Sequence, residues 1–372
     1  MKTLIPIHWL TVSVGMSLAL TNPQPSQAIS FNLNPTFDTT TTQGQQALNG
    51  FQSAANLWSN EFNDNVTINL DIGFQSLDPN VLGQTSTTRQ VVSVGNFANQ
   101  LANDITSSND QIAVSNLPII NFVFNDESNI DGIAFRGTEE DGTIEFDPFE
   151  SSTLTDDNVF LNITQANAKA VGLATSNDTS TSDGEITFNS DFAFDFDRSD
   201  GISGDEFDFI GVAAHEIGHA LGFISGVDIT DNNLEDTTPE NLDDFAIFNS
   251  LDLFRYSDDS LALGQNVLDL AVGGNPYFSI DGGNTNLAGF STGAFNGNGR
   301  QASHWLDNQG LGLMDPTFAA GELGEISNLD RLAFDVTGWD TKAVPFQVEK
   351  SVGFIAALGL ILIQYQRKNR QN

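Results

Sequence analysis

The sequence predicts an α+β fold, an α/β sandwich in which helices and a sheet share one large domain. Two observations lead to this prediction. Segments with helical and with strand-like periodicity follow one another from residue 43 to residue 190. A helix containing AAHEIGHALGF, residues 213–223, then follows them. The length of 372 residues allows one large domain or two ordinary ones.

The first predicted elements are a helix and a strand. Residues 43–62 place apolar side chains at helical spacing: Leu48, Phe51, Ala55, Trp58 and Phe62. Residues 66–77 then alternate as a half-buried strand does, with Val66, Ile68 and Leu70 sharing a face. A helix followed by a strand is the start expected for the predicted sandwich.

The next segments extend this pattern towards the histidine-containing helix. Residues 87–105 predict a second helix, and residues 120–125, 133–137 and 184–190 predict strands. The histidine-containing helix has its own boundary signals. Asp205 followed by Asp208 is a start signal of the capping-box type, and Gly222 marks a turn out of the helix.

The charge of the chain is strongly negative. Lys and Arg number 13 against 49 Asp and Glu, which gives a formal net charge of −36. Such a field repels a phosphate backbone and excludes nucleic acid as a partner. The 29 phenylalanines supply a core, so we expect a folded and well-solvated body. The absence of cysteine excludes disulfides and thiolate ligands.

The two ends of the chain predict export and sorting. Residues 1–28 have the pattern of a signal peptide, with Lys2, an apolar stretch and a small-residue exit at Ala28. Residues 345–372 contain an apolar run followed by basic residues that stay on the cytoplasmic side of a membrane. The domain between them spans residues 29–344. We therefore expect a secreted or cell-envelope protein that is held at the membrane through its C-terminal segment.

The C-terminal segment resembles a known class of bacterial sorting signals. Its apolar run and basic tail are similar to signals of the PEP-CTERM type, which exosortase-like enzymes process. Pro345 and Phe346 stand where that type has a Pro-Glu-Pro form. The resemblance implies an exosortase-like sorting enzyme as a partner.

The HEIGH segment has the spacing of a catalytic metal site. His215 and His219 are four residues apart and share one face of a helix, so both imidazoles can bind one ion. Neutral imidazole suits Zn²⁺, which in catalytic sites takes three protein ligands and a water. Glu216 would remove a proton from that water, whose pKa falls to about 7. A third ligand is still needed.

Once residues 1–28 are removed, His304 is the remaining histidine that could complete the site. Here the chain resembles the metzincin zinc peptidases. HEIGHALGF, a long insertion, SHW at 303–305 and then LM at 313–314 are most similar to their leishmanolysin-like branch. The resemblance covers about residues 184–340. It implies a twisted sheet, an active-site helix and an inserted segment, residues 223–303, before the displaced third ligand.

The resemblance also assigns roles to single residues. It implies that His215, His219 and His304 bind Zn²⁺ and that Glu216 is the general base. It further implies that Gly222 forms the turn after the helix and that Met314 lies beneath the metal. The compact pattern of the family places its third ligand at position 225, which is serine here.

Two alternatives remain at this point. Glu240 and Asp244 form an E-x-x-x-D pair on a helix predicted to begin at Pro239, which resembles the gluzincin zinc peptidases with Glu240 as third ligand. Asp228 is a further oxygen ligand candidate. Alternatively, the acidic loops 125–132, 195–208 and 228–236 could bind structural Ca²⁺, or belong to a non-catalytic calcium-binding adhesive protein.

The sequence therefore predicts an exported zinc metalloendopeptidase that hydrolyses protein or peptide substrates. Its expected cofactor is one catalytic Zn²⁺. The sequence gives no cleavage preference. The lack of cysteine also excludes a latency switch in which a thiolate binds the zinc.

Overall fold

A computed structural model describes residues 29–121, 128–138, 144–148 and 155–342. The expected signal peptide, residues 1–28, and the expected sorting segment, residues 345–372, lie outside these ranges. No helix in the described ranges is both long enough and apolar enough to cross a membrane.

The described residues form nine α-helices and fifteen strands, many of them short. The helices are α1 Thr42–Ser59, α2 Val94–Asn103, α3 Ser108–Ser115, α4 Asp156–Val159, α5 Gln165–Ala170, α6 Phe209–Leu221, α7 Val227–Glu235, α8 Asp258–Leu263 and α9 Asn328–Val336. The strands are β1 Ser30–Pro35, β2 Thr67–Gln75, β3 Gly83–Thr87, β4 Arg89–Ser93, β5 Ile119–Asn121, β6 Ser128–Thr138, β7 Ile144–Pro148, β8 Phe160–Thr164, β9 Gly184–Asn189, β10 Phe194–Asp195, β11 Phe207–Asp208, β12 Arg255–Tyr256, β13 Val267–Asp269, β14 Tyr277–Phe278 and β15 Ala288–Gly289.

A four-stranded sheet with the order β1-β2-β9-β3 supports the histidine-containing helix α6. Strands β1, β2 and β9 are parallel, whereas β3 runs antiparallel to β9 at the edge. Smaller sheets contain the strands β5, β6, β7 and β13, the pair β4 and β8, the pair β10 and β11, and the strands β12, β14 and β15. The fold is thus mixed α and β with open sheets, which is compatible with the predicted α+β class.

Helices α1 and α6 pack together against this sheet through aromatic side chains. The ring of Phe51 on α1 lies edge-on to Phe188 on β9 and to Phe209 at the start of α6. The indole Nε1 of Trp58 donates to the carbonyl of Ala214, 2.8 Å away, and so ties α1 to the middle of α6. Both sides of α6 are covered, which fixes the helix that carries the HEIGH residues.

Two predicted helices differ from the structure. Residues 89–93 form strand β4, antiparallel to β8, and only residues 94–103 of the predicted 87–105 helix are helical. Val91 and Val92 are β-branched, which favours a strand, and the Ser93 side chain caps α2 by accepting from the N–H of Asn96. The chain therefore changes from strand to helix at this serine.

The helix predicted from Pro239 is also wrong. The segment forms two short 3₁₀ helices, Leu242–Asp244 and Leu251–Phe254, followed by the two-residue strand β12. The carboxylate of Asp252 accepts from the N–H groups of Asn249 and Gly226, and these bonds compete with helix formation.

Candidate metal centre

Helix α6 begins one residue after Asp208, but this residue does not cap it in the predicted way. Its side chain makes no capping bond. Instead, the carboxylate accepts from the Arg198 guanidinium and from the N–H of Gly324. The expected capping box of Asp205 and Asp208 is therefore wrong, because a charged partner draws the Asp208 side chain away from the helix end.

The C-terminal end of α6 turns sharply at Gly222. This residue has φ 126°, in the left-handed region that favours glycine, and its N–H bonds back to the carbonyl of His219. The turn directs the chain away from the helix directly after the second histidine. Gly222 therefore occupies the turn that the sequence indicated.

The structure brings three histidines together. The Nε2 atom of His304 lies 3.2 Å from that of His215 and 3.1 Å from that of His219, and the latter two are 3.1 Å apart. All three can contribute a ligand atom to one metal ion. His304 reaches the helix pair across a separation of 85 residues from His219.

The other nitrogen of each ring fixes its orientation. The Nδ1 atom of His215 lies 2.8 Å from the carbonyl oxygen of Leu313, and that of His219 lies 2.7 Å from that of Phe223. The Nδ1 atom of His304 is 3.2 Å from the carbonyl oxygen of Gln301. Because a carbonyl can only accept, Nδ1 carries the hydrogen in each neutral ring. Three Nε2 lone pairs consequently face one another.

This donor set fits a tetrahedral metal ion. Ligand atoms bound to zinc at about 2.0–2.1 Å in a tetrahedron lie about 3.3–3.4 Å apart, close to the separations between these nitrogens. Burial lowers the pKa of His215 to about 4, and burial together with the neighbouring His215 lowers that of His219 to about 3. Burial and the two other histidines also hold the pKa of His304 well below its usual value. All three rings are therefore neutral ligands at neutral pH.

Glu216 lies beside this cluster and contacts the edge strand. Its carboxylate Oε2 accepts from the hydroxyl of Thr85 on β3 at 2.6 Å. Burial raises the pKa of Glu216 to about 7, and the hydrogen bond from Thr85 opposes this rise. Thr85 was not predicted from the sequence, because the pairing of β3 with β9 brings it to the helix from a position 131 residues away.

Met314 packs beneath the histidine pair. It is fully buried, and its sulfur lies against Gly218, the residue directly before His219. The carboxylate of Asp330 accepts from the N–H groups of Leu313 and Met314 and so holds this turn. Leu313 also supplies the carbonyl that orients His215. The turn thus supports the three histidines from below.

A network inside the inserted segment holds His304 in place. The carboxylate of Asp228 on α7 accepts from the N–H groups of Ala302 and Ser303 at 2.6 and 3.1 Å, and from the Ser303 hydroxyl. The Ser225 N–H donates to the same hydroxyl. Asp228 lines the cleft, but its oxygens are engaged by the backbone that precedes His304, and it does not belong to the group of possible metal ligands.

The gluzincin alternative does not fit this geometry. Glu240 and Asp244 are exposed, and the backbone of Glu240 pairs with the side chain of Asn233. Among the described residues, the three histidines form the only group of three or more His, Asp or Glu side chains that could hold one metal ion. The third-ligand position near the histidine pair is therefore taken by His304.

The acidic loops show no cation site in their described parts. In loop 195–208, Asp195 accepts from the N–H groups of Asp197 and Ser203, and Asp197 accepts from Ser199. These bonds close local turns. Part of loop 125–132 lies outside the described residues, and loop 228–236 is largely helix α7.

An open cleft of about 810 Å³ leads to the three histidines. Strand β3 lines it, together with Arg300, Gln301, Ser303 and residues 316–318. Glu216, His215, His219 and His304 all line it. The site is therefore accessible to a molecule larger than water.

Comparisons with known proteins identify no relative. No protein family, no curated protein and no solved structure matches the chain. The function of the cleft must therefore be inferred from the residues that line it.

Proposed function

We propose that this protein is a zinc-dependent metalloendopeptidase of the metzincin type, with the displaced third histidine of the leishmanolysin-like branch. One observation carries the proposal. Three Nε2 lone pairs converge on one point, next to a buried glutamate, at the base of an open cleft. Lone pairs this close repel one another unless a cation lies between them, and neutral imidazoles favour zinc over calcium or magnesium.

The protein groups have separate tasks in peptide hydrolysis. His215, His219 and His304 would hold the zinc ion, which would supply the Lewis acidity that lowers the pKa of water and polarises a carbonyl. Glu216 accepts a proton from the attacking water and transfers it to the nitrogen of the leaving amine. The carbonyls of Leu313, Phe223 and Gln301 keep each imidazole in the tautomer that binds metal.

The free edge of β3 indicates an extended peptide as substrate. Within the described residues, β3 pairs with β9 on one side only, and its residues line the cleft. An extended segment can add to such an edge through backbone hydrogen bonds. Thr85 at this edge contacts Glu216, so an added strand would run past the general base.

The proposed location follows from the ends of the chain. Residues 1–28 would direct export, and residues 345–372 would hold the protein at the cell envelope until an exosortase-like enzyme processes it. Mass spectrometry of the mature protein tests this location. An intact N-terminus in a cytosolic fraction would contradict it.

The function is tested by metal analysis and hydrolysis with a matched variant. Purified wild-type protein should contain one zinc per chain and cleave an unfolded protein substrate. Glu216→Gln should retain zinc and fold but lose most hydrolysis, about 100-fold or more, because it removes the base and leaves the ligands. Wild-type protein without zinc, or full hydrolysis by the variant, would refute the proposal.

A further inference from the structure

Arg89 is a cation that forms no ion pair with any described residue of this acidic protein. Four other cations in the described chain form ion pairs with carboxylates: Lys169 with Asp183, Arg198 with Asp208, Arg300 with Asp307 and Arg331 with Glu61. Arg89 has no ion-pair partner in the described ranges, although the chain contains 49 acidic residues. Its one hydrogen bond to a described residue runs from Nε to the Thr87 hydroxyl, at 3.2 Å.

The position of Arg89 places its charge in the cleft. Its side chain is exposed and belongs to the cleft wall. Thr85 and Thr87 lie on one face of β3, since alternate residues of a strand share a face. The bond to Thr87 shows that the Arg89 side chain folds back along this face. Thr85 on the same face contacts Glu216, and Thr87, which binds Arg89, lies two strand residues, roughly 7 Å, further along the strand.

We propose that Arg89 determines substrate specificity by binding a carboxylate of the peptide close to the cleaved bond. The inference rests on the proposed function. A guanidinium presents its remaining N–H groups as a planar fork that matches a carboxylate. An extended peptide on the β3 edge would bring a side chain opposite Thr87 within reach of that fork.

The charge of the whole protein acts against an acidic peptide but does not outweigh this contact. A net charge of −36 repels such a peptide at long range. Salt screens that field over about 8 Å at physiological ionic strength, whereas a contact ion pair in a cleft is screened much less. The two acids whose charges act on Arg89, Asp252 and Asp228, already accept hydrogen bonds from the backbone and from serines.

The carboxylate could come from an Asp or Glu side chain or from the C-terminus of a short peptide. Matched peptides distinguish these sources. One set replaces each Glu by Gln in turn, and another carries a C-terminal amide in place of the carboxylate. Loss of cleavage in the first set identifies a side chain, and loss in the second identifies the terminus.

The test compares wild type with Arg89→Gln. The control is Arg331→Gln, which also removes one positive charge, but from helix α9. Wild type should prefer the carboxylate peptide about tenfold or more in kcat/KM, as expected for a charged hydrogen bond. The ratio of kcat/KM for the carboxylate peptide to kcat/KM for its matched peptide should fall to about one in Arg89→Gln. It should be unchanged in Arg331→Gln. A preference that survives in Arg89→Gln, or is absent from wild type, would overturn the inference.

Binding measured without hydrolysis separates this inference from the proposed function. Fluorescence anisotropy of the labelled peptides with the Glu216→Gln protein reports affinity alone. If this protein binds the peptides that lack the carboxylate more weakly, and if adding Arg89→Gln removes that difference in affinity, the carboxylate site is supported even if wild type cleaves nothing. Equal binding of both peptide sets refutes the site even if wild type is an active peptidase.

Discussion

The backbone N–H of Ser225 donates to the hydroxyl of Ser303 at 2.8 Å, which joins two positions 78 residues apart. Ser225 stands where the compact metzincin pattern has its third ligand, and Ser303 directly precedes His304. The inserted segment thus leaves the histidine helix and returns to it at the same place. A displaced ligand costs little in chain entropy, because each doubling of a loop adds only about 0.6 kcal/mol.

His304→Ala should weaken zinc retention by at least 100-fold and abolish hydrolysis, because two histidines remain for an ion that takes three protein ligands. Glu240→Gln is the matched control, since Glu240 is exposed and lies outside the group of possible metal ligands. Zinc titration with a competing chelator measures both variants. Equal zinc affinity of His304→Ala and wild type would show that His304 is not a ligand.

Asp228→Asn should lower zinc affinity by about 10- to 100-fold although Asp228 is not a ligand, because its carboxylate holds the backbone before His304. Asp231→Asn, three residues further along α7, is the control. Its carboxylate accepts from the N–H groups of Phe295 and Asn296, in a loop that bears no ligand. That variant should lose stability but keep its zinc affinity, as unfolding and chelator titrations would record. Equal losses of zinc in both variants would argue against a specific role of Asp228.

Thr85→Val should reduce kcat by about 10- to 100-fold with little change in KM, because the buried Glu216 carboxylate loses its hydroxyl donor. Thr85→Ser restores the donor and should recover most of the rate. Steady-state kinetics of the zinc-loaded proteins provide the measurement. If Thr85→Val turns over as fast as wild type, the hydroxyl does not position the base.

Stability should fall as the pH rises from 6 to 8, because of a buried acid remote from the metal centre. Burial, with the charge of Asp340, raises the pKa of Asp64 to about 8. In this window the native protein therefore retains a proton that the unfolded chain has lost, and ionisation favours unfolding. Asp64→Asn has no such charge, and its amide oxygen can still accept the N–H of Asp340.

The variant should gain stability relative to wild type as the pH increases, by up to about 2 kcal/mol between pH 6 and pH 8. Urea unfolding of both proteins across this range measures the difference. A constant difference between them would mean that Asp64 is already ionised at pH 6.

The sequence indicated much of the site, because its chemistry is encoded locally. The i, i+4 spacing of His215 and His219 on a helix requires only local geometry. His304 could be inferred by counting histidines, but nothing local could reveal Thr85 or Ser303. Their contacts depend on the pairing of β3 with β9 and on the return of the inserted segment.

The incorrect predictions have a similar physical origin. The sequence of residues 87–93 is compatible with a helix or a strand. Residues 89–93 form strand β4 because they pair with β8. The helix predicted from Pro239 does not form, because buried Asp252 accepts from the N–H of Asn249 in the same segment and from that of Gly226, which is distant in sequence. Asp208 was expected to cap the histidine-containing helix. It lies at the start of that helix, but its carboxylate binds Arg198 instead of the helix backbone. Tertiary partners override local preference in each case.

His219 and His304 lie 85 positions apart in the sequence, so an ion bound between them would also affect the stability of the protein. An ion bound by both residues would link the two ends of this segment in the folded protein, where a cysteine-containing exported protein can use a disulfide. This chain has no cysteine. Unlike a disulfide, such an ion leaves when its ligands separate, so it opposes unfolding through its own binding free energy. Removing the ion should therefore loosen the inserted segment first and expose it to proteolysis, including cleavage by other copies of this protein.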